Sequence, residues 1–457
     1  MKSLFRPIDI ASLVFFRIIF AVLGFMDVLS SYVYYHLEKD AFNPEKFQFY
    51  YYGFAWVRVF ADPWMTLFFI TLLLLAIFIG LGFWYRGSCI LFFLGFTYLF
   101  LLEKANYLNH GYLFCWICFV MIFVPAHKAF SLDVWRKKVI ATDLIPYWPL
   151  FLLQFLMGIV YFFGGLAKIN EDWLRAVPLS SWLPSRASTP LIGCLLEMPE
   201  TAYFMAYGGV LFDLMIIPLL LFRQTRLWAF GLALFFHLTN AMIFNIGIFP
   251  YLSIGLTALF FTPDFPRRIV DKSRPLIAAL GQRLGSFNVF IPTTRAPLYQ
   301  ATTPSPPTTG FIKTAILLFV FLHVLIPLRH HLFAGPVSWT EEGHRYAWRM
   351  MLRAKTGSGL FVVEDLDSGQ KEKIKPSDYL WSKQERKLYT HPDMILQFAH
   401  YLQKKYKAMG KKVAIYADIT VQLNDHPKQY YIDPAQDLTL VQWHFFQSAT
   451  WIRPADF

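Results

Sequence analysis

Charged side chains are scarce in this chain of 457 residues: Asp, Glu, Lys and Arg make up 16% of it, against 56% hydrophobic and 19% aromatic residues. So little charge argues against an ordinary soluble enzyme and is typical of a protein with several membrane spans. In a soluble protein, a net charge of +12 would suggest nucleic acid as a partner. Here the basic residues cluster between apolar runs, so orientation in the membrane explains them. Membrane lipid, not nucleic acid, is the expected partner.

Several small motifs are also missing. The chain has four cysteines, all before residue 195, so the part after residue 334 forms no disulfide. Cys115-Trp-Ile-Cys118 has redox spacing but lies in an apolar run, which favours buried thiols. No Asn-x-Ser/Thr site occurs, which favours a bacterial inner membrane over a secretory organelle. No His, Cys and carboxylate cluster has ligand spacing, so we expect no metal. No cleavage site follows the first apolar run, which predicts a retained span.

Long apolar runs predict the architecture. They indicate a polytopic α-helical membrane protein with about nine spans and a C-terminal β-rich or α+β domain outside the membrane. The predicted spans lie near 11–35, 64–85, 88–103, 107–126, 147–168, 200–222, 226–246, 249–263 and 312–333. The predicted domains are a helical membrane domain over 1–263, a connection over 264–311, a last span over 312–333 and an outer domain over 334–457. In the connection we expect a basic helix on the inner membrane surface and then a flexible linker at 302–310.

Basic residues predict the orientation of these spans. They lie before the first span and in alternate connections after it, up to the one that follows the eighth span. Positively charged connections stay in the cytoplasm. We therefore expect a cytoplasmic N-terminus, and an odd number of spans then places the 334–457 domain outside.

The outer domain is predicted from local patterns. Strands are expected at Tyr346–Arg353, Gly359–Asp365 and Lys412–Leu423, with a turn at 355–359. A helix is expected from Asp393 to Met409, because apolar residues recur there at helical spacing and Gly410 follows. Those residues are Ile395, Phe398, Leu402 and Tyr406.

A lysine stands where the fifth apolar run ends, in Tyr161-Phe-Phe-Gly-Gly-Leu-Ala-Lys168-Ile-Asn-Glu-Asp-Trp173. Two interpretations of Lys168 are open. It is either a lysine at the rim of a span, with its side chain among lipid headgroups, or a base. A lysine held in a partly dry pocket loses its charge more easily. Position alone does not decide between them.

Further polar residues lie at membrane depth, where such residues are candidates for function. Asn109 and His110 open the fourth span, and His237 and Asn240 share one face of the seventh, with Asn245 shortly after. The predicted topology places these residues and Lys168 in the outer half of the bundle, with His237 near mid-depth. A lone histidine on an apolar helix is more often a hydrogen-bonded core residue. Convergence of three segments at one depth instead favours a site.

Two charges within spans are predicted to stabilise the structure. Arg17 is about six residues into the first span and Asp213 about nine residues above the cytoplasmic end of the sixth, so their depths differ by about 4 Å. An arginine side chain can bridge that difference, and we expect a buried Arg17–Asp213 pair. Asp27, higher in the first span, is left to pair elsewhere or to face the site.

The sequence resembles the vitamin K-dependent γ-glutamyl carboxylase family at several motifs in order. Gly164-Gly-Leu-Ala-Lys-Ile-Asn-Glu-Asp-Trp173 is similar to the segment that bears the family's base lysine, and Asn109-His110 to its Asn-His pair. Phe236-His-Leu-Thr-Asn240 with Phe244-Asn-Ile-Gly-Ile-Phe-Pro-Tyr251 resembles a third block. The likeness continues in the outer domain, notably at Tyr346-Ala-Trp348, and covers most of the chain.

The resemblance implies a reaction with two coupled halves. Lys168 would deprotonate reduced vitamin K, a hydroquinone, which reacts with O₂ to form a strongly basic intermediate and leaves as its epoxide. That intermediate would remove a γ-proton from a glutamate of a peptide or protein substrate, and the carbanion would add CO₂. The resemblance makes His110 a second catalytic residue and calls for no metal. The implied substrate- or quinone-binding residues are Asn109, His237, Asn240, Asn245, Tyr346 and Trp348.

The chain departs from the family where glutamate is handled. Gly343-His344 replace a leucine–tyrosine pair, and Arg353 replaces a histidine. The quinone half is thus better supported than the peptide half, and a quinone-epoxidising protein without carboxylation stays open. A transporter would show repeats, and the sequence has no internal repeat. A non-catalytic anchor for the outer domain would not need Lys168, His110, His237 and Asn240 together.

Overall fold

A computed structural model describes residues 2–37, 42–273 and 306–457. Apolar helices form a bundle, and short helices fill two of its connections. The helices are α1 Ala11–Leu37, α2 Trp64–Leu81, α3 Tyr85–Leu101, α4 Asn109–Phe123, α5 Leu132–Trp135, α6 Trp148–Ala167, α7 Glu171–Leu174, α8 Val177–Trp182, α9 Gly193–Leu196, α10 Pro199–Leu221, α11 Arg226–Ile243, α12 Phe249–Ala258, α13 265–273, α14 Pro306–Leu328, α15 Val337–Thr340, α16 Ser382–Thr390 and α17 Pro392–Ala408.

Six helices of the described chain are long and apolar enough to cross a membrane. They are α1, α2, α6, α10, α11 and the helical stretch Thr309–Leu332. The other three predicted spans form shorter helices: α3 and α4 have 17 and 15 residues, and α12 has 10. At 1.5 Å per residue, α12 extends about 15 Å, half the thickness of a bilayer core. The prediction of about nine full-length spans is therefore not confirmed for the described residues.

One end of the bundle gathers the N-terminal residues and two connections. Strand β1 (Pro7–Asp9) pairs antiparallel with β2 (Leu144–Pro146). Arg267 then bridges Asp9 and Asp143, with its Nε 2.9 Å from Asp9 Oδ2. Connections that the basic residues predicted to share one side thus lie together.

The expected Arg17–Asp213 pair is wrong. The Arg17 guanidinium donates to the backbone carbonyls of Ala126 at 2.6 Å and Ala129 at 3.3 Å. Asp213 accepts instead from Lys168. Position within an apolar run predicts how deep a residue lies in the membrane. It does not predict which neighbouring helix the side chain faces, so two residues at equal depth need not be in contact.

The outer domain is an antiparallel sheet with two helices against it. The sheet order is β4 (Lys371–Ile374), β3 (Lys355–Asp365), β5 (Val413–Leu423), β6 (Gln429–Tyr430). Along β5, mostly alternate residues are buried, as expected for a sheet with one covered face. The four apolar residues predicted at helical spacing are all buried in α17, and Gly410 ends that helix with a φ of +79°.

Two local predictions in this domain are wrong. Residues 346–353 form no strand, because Tyr346, Trp348 and Met351 have φ values of +68°, +56° and +50°, which are incompatible with extended backbone. The expected turn at 355–359 is instead the first half of β3, which pairs with β5 from Lys355 onward.

The long connection is described in part. Residues 265–273 are helical, which agrees with the expected helix there. Residues 274–305, with the first four residues of the predicted linker, lie outside the described residues. The last part of that linker, from Pro306, already belongs to α14.

The outer domain packs on the end of the bundle opposite to β1 and β2. Gln384 of α16 donates to Glu103 Oε2 at 2.8 Å, and Gln397 of α17 donates to the carbonyl of Tyr50 at 2.9 Å. Phe49 and Ala105 are buried in the same apolar cluster as the sheet and α17. Bundle connections therefore form part of the domain's core.

Candidate active site

Lys168 is held where α6 ends. Its backbone N–H donates to the carbonyl of Gly165 at 3.1 Å, and the Asn170 side chain accepts from the N–H of Trp173 at 3.1 Å to begin α7. The buried Trp173 ring donates through Nε1 to the carbonyl of Ala206 at 2.9 Å. These bonds fix the turn that carries the lysine against α10.

The Lys168 amino group lies within hydrogen-bond distance of the Asp213 carboxyl group. Both side chains are largely buried, at 12% and 7% exposure, and Lys168 Nζ lies 5.6 Å from the centre of the Trp173 ring. Two glycines let the helices approach: a Cβ at Gly165 would lie 2.8 Å from Leu214, and one at Gly164 would lie 3.3 Å from Asp213 Oδ2. The lysine is thus not a rim residue among headgroups.

A second buried polar pair joins α6 to α11. The Tyr161 hydroxyl lies 2.5 Å from His237 Nε2, and His237 is 1% exposed. Its other ring nitrogen, Nδ1, has no hydrogen-bond partner among the described residues. An unsatisfied buried polar atom is uncommon and consistent with a position that a ligand would contact.

Asn109 and His110 begin α4 beside the outer domain. Asn109 Oδ1 accepts from the Tyr107 hydroxyl at 2.9 Å, and its amide donates to the carbonyl of Arg349 at 3.4 Å. His110 lies beside Gly247, where a Cβ would be 3.5 Å from Nε2. Gly247 has a φ of +59° and begins the turn into α12.

One cavity of about 820 Å³ brings these groups together. Its size suits a drug-sized or larger organic ligand. Asp213 and Asp27 also line it, so the alternative that Asp27 faces the site is the observed one. The sequence-predicted residues in its wall are Asn109, His110, Lys168, His237, Asn240 and Asn245.

Tyr346 and Trp348 stand apart from this set, because neither forms part of the cavity wall. Their positive φ values turn both side chains against α4, where the Tyr112 ring lies 4.8 Å from Tyr346 and 5.2 Å from Trp348. The Tyr107 hydroxyl accepts from the N–H of Tyr346 at 2.7 Å. Both residues lie toward the membrane part, but they support the cavity rather than line it, so the structure does not place them where the resemblance implies a binding role.

The outer end of the cavity belongs to the C-terminal domain and is rich in charge. Glu341 accepts from Arg353 Nε at 2.9 Å and pairs with Lys355 at 3.2 Å. Burial alone would raise the pKa of Glu341, but the charges of Arg353 and Lys355 outweigh it and lower the pKa to about 2. Asp393, in the first turn of α17, is paired with Arg345 and with Lys104 of the bundle, each at 2.7 Å.

Sequence reasoning missed several of these residues. Asp213 was noticed as an intramembrane charge but assigned to the wrong partner, and Tyr161 lay within the lysine segment without a role. The basic residues of the outer end carried a signal, since Arg345, Arg349 and Arg353 recur every fourth residue. Because residues 346–353 were predicted to form a strand, this spacing was not recognised as a cluster of basic residues.

One group in the described chain has a geometry that a metal could use. Ligand atoms of Asp172, Asp425 and His426 lie within 4.8 Å of one another. These side chains already have partners: Asp172 accepts from Asn424 and lies 3.1 Å from His426 Nε2, and Asp425 pairs with Arg175 at 3.2 Å. We assign this group to the contact between the lysine segment and the outer domain.

Comparison with protein families gives two matches that together cover most of the chain. Residues 5–265 match the model described as HTTM domain, and residues 308–456 match the model described as vitamin K-dependent gamma-carboxylase, lumenal domain. Residues from both matched regions line the cavity. No solved structure matches the chain.

Proposed function

Because this chain belongs to the vitamin K-dependent γ-carboxylase family, we propose that it is a membrane carboxylase that couples two reactions. It would convert a vitamin K hydroquinone to the epoxide with O₂ and add CO₂ to glutamate side chains of a peptide or protein. The observation that carries the proposal is the cavity, which has a buried Lys168–Asp213 pair at its bundle end and basic residues at its outer end.

In this proposal Lys168 accepts the hydroquinone proton. Asp213 stabilises the protonated lysine, as a buried carboxylate does for the base in other proton-transfer sites. When bound, the hydroquinone supplies the reducing electrons and the oxygenated species that abstracts the glutamate proton. Tyr161 and His237 form a polar end for a quinone oxygen, and His110, Asn109, Asn240 and Asn245 add donors and acceptors in the same wall. The buried walls exclude water from the strong base.

The peptide would approach from the outer domain. A glutamate γ-carboxylate is an anion, and the outer end offers several cations to receive it. We infer that the N-terminus is cytoplasmic and that the outer domain lies in the periplasm of a bacterial inner membrane, since the basic connections gather at the opposite end of the bundle.

Epoxidation without carboxylation is the second candidate. It is favoured by the local structure where the sequence departs from the family. A Cβ at Gly343 would lie 2.6 Å from the backbone of His330, so this position accepts no larger side chain in the present backbone. Arg353 is held by Glu341 and donates to the His344 ring at 3.3 Å, which limits its reach toward a substrate.

The test uses purified protein in lipid nanodiscs with vitamin K hydroquinone, O₂, labelled bicarbonate and a Glu-rich peptide. We expect both epoxide and labelled peptide, with epoxide in molar excess. Formation of epoxide without labelled peptide would reject carboxylation and support the second candidate, epoxidation alone. Neither product above the protein-free background would reject both.

A further inference from the structure

The carboxyl groups that line the cavity differ in what they contact. There are three of them: Asp27, Asp213 and Glu341. Asp213 contacts Lys168, and Glu341 is held by two cations of the outer domain. Asp27, in the membrane helix α1, forms no hydrogen bond or ion pair with the described residues, and burial is the one influence on its charge. An acidic side chain at membrane depth is costly and is a candidate for function.

A polar stripe along α1 begins at Asp27. Ser30, Ser31 and Tyr34 follow at three, four and seven residues, a spacing that places all four on one helix face, and all four line the cavity. Asp27 is ten residues before the last residue of α1, about 15 Å along the helix. Lys383 of the outer domain lies over the Tyr34 ring at 5.8 Å. The stripe therefore leads from membrane depth to the outer domain along a polar wall that can hold water.

The surroundings of Asp27 supply no counter-charge among the described residues. The thiols of Cys115 and Cys118 on α4 lie near it and are neutral when protonated. Helices α2 and α12, which also pack on α1, contain no charged residue. On α1 itself, Arg17 and His36 are ten and nine residues away, more than about 13 Å along the helix. Asp27 can therefore gain and lose a proton without breaking an ion pair.

The proposed reaction has to dispose of a proton. Carboxylation takes up hydroquinone, O₂, CO₂ and one glutamate C–H, and it gives the epoxide, water, a new carboxylate and one proton. Epoxidation without carboxylation gives the epoxide and water and releases no proton. The proton that Lys168 accepts must therefore leave the site when glutamate is carboxylated. Transfer to Asp213 would keep it within the buried pair, and Glu341, with its pKa lowered to about 2, is a poor acceptor.

We propose that Asp27 is a proton-relay residue, which passes the proton of Lys168 from the cavity to the outer solution after each carboxylation. An N–H bond of Lys168 breaks, water in the cavity carries the proton, and an O–H bond forms on Asp27. Loss of that proton along the stripe to the outer solution restores the carboxylate, and Lys168 is neutral again. This inference rests on the proposed function, because the proton comes from the hydroquinone. Asp27 acts on release of the proton and not on the reacting atoms.

The test measures epoxide and labelled peptide from full-length protein in lipid nanodiscs. Asp27→Asn keeps the size of the side chain but cannot accept a proton. We expect its moles of labelled peptide per mole of epoxide to fall roughly fivefold or more, because the retained proton replaces the glutamate proton in the water that forms. Asp27→Glu should stay within about twofold of the wild-type ratio. Formate, a small acid that carries protons, should restore part of the ratio in Asp27→Asn.

A matched control and two outcomes decide the interpretation. Asp62→Asn removes an exposed carboxylate that accepts from Thr66 at 3.1 Å outside the cavity wall, and it should keep the wild-type ratio. A wild-type ratio in Asp27→Asn would overturn the proposal. An equal loss of both products that formate does not restore would also overturn it, because that result indicates a role in folding or binding.

A second measurement needs no turnover. Infrared difference spectra of the protein without hydroquinone should gain a protonated-carboxyl band on acidification. The band should shift in D₂O, move in Asp27→Glu and be absent from Asp27→Asn; the first two signs suffice if Asp27→Asn does not fold. Such a band in a protein that carboxylates no peptide would support proton exchange at Asp27 and reject the proposed function. Carboxylation by a protein without the band would support the function and reject the relay.

Discussion

At the scale of single residues, the contact between Lys168 and Asp213 changes the environment in which the lysine would act as a base. The sequence predicts that a base at this position lies in a partly dry pocket, which favours a neutral lysine. Phe162, near the end of α6, is 53% exposed on the outside of the bundle, whereas the lysine contacts a buried carboxyl group and the Trp173 ring. In the proposed function, this carboxylate stabilises the ammonium that forms when the neutral lysine accepts a proton, and the lysine has to release that proton before the next turnover.

Replacing Asp213 by Asn should therefore weaken the base. The amide can still accept a hydrogen bond from the lysine but cannot stabilise its positive charge. We expect the maximal rate of epoxide formation to fall at least tenfold, because the ammonium that forms on proton transfer loses its counter-charge. A variant with the wild-type rate would contradict the role given to Asp213.

Gly343 offers a test of packing at the departure from the family. Its φ is +70°, and an added Cβ would lie 2.6 Å from His330 Cα. Gly343→Leu should lower the melting temperature of the purified protein and reduce its yield. Gly369→Leu is the control, because Gly369 has the same φ of +70° but no atom within 4 Å of its added Cβ. Both variants carry backbone strain of roughly 1–2 kcal/mol, so a similar melting temperature for the two would show that the close contact has no effect.

At the scale of elements, the helices and the strands β3 and β5 follow from apolar periodicity in the sequence. Residues 346–353 do not, because alternation of apolar side chains does not record the positive φ values that turn Tyr346 and Trp348 toward α4. The Arg17 error has a similar origin: an apolar run gives the depth of a residue but not the direction in which it points. The polar residues of α4 and α11, and Lys168 at the end of α6, could be predicted to lie together. Each interrupts an apolar run, and the predicted topology places them at similar depth in the membrane.

The segment after Lys168 is also tied to the outer domain. Asp172 accepts from Asn424 and lies 3.1 Å from His426 Nε2, just after β5. Asp172→Ala should loosen this contact, so we expect faster amide hydrogen exchange at residues 424–428 and in the loop 168–175. Asp425→Asn, which removes only an exposed pair with Arg175, is the control. Unchanged exchange in Asp172→Ala would mean that other contacts hold the domain there.

At the scale of the whole molecule, two ends with different chemistry share one cavity. In the proposed function, the bundle would provide the lysine and the polar groups for a lipid-soluble quinone, and the outer domain would provide cations for the carboxylate of a peptide glutamate. The connections that join β1, β2 and Arg267 lie at the far end of the bundle from this arrangement. The sequence predicted that polar residues of several helices lie together, and they share the cavity, but it did not predict the charge of the outer end.

The orientation of the molecule is tested by fusions. Alkaline phosphatase, which is active outside the cytoplasm, should be active when fused after Phe457 and inactive when fused within 130–140. The physical reason is the retention of basic connections on the cytoplasmic side. The reverse pattern would place the peptide entrance in the cytoplasm and contradict the proposed topology.

The most direct test of the account is the rate at which Lys168 variants convert vitamin K hydroquinone to its epoxide. Lys168→Gln can still donate a hydrogen bond to Asp213, so it should fold normally, but it cannot accept a proton. We predict that its epoxide formation falls ~10²–10⁴-fold, the usual contribution of a general base. Lys168→Ala should lose the activity as well and regain part of it with an added small amine. Epoxide formation by Lys168→Gln at the wild-type rate would contradict the account and leave Lys168 with a structural role beside Asp213.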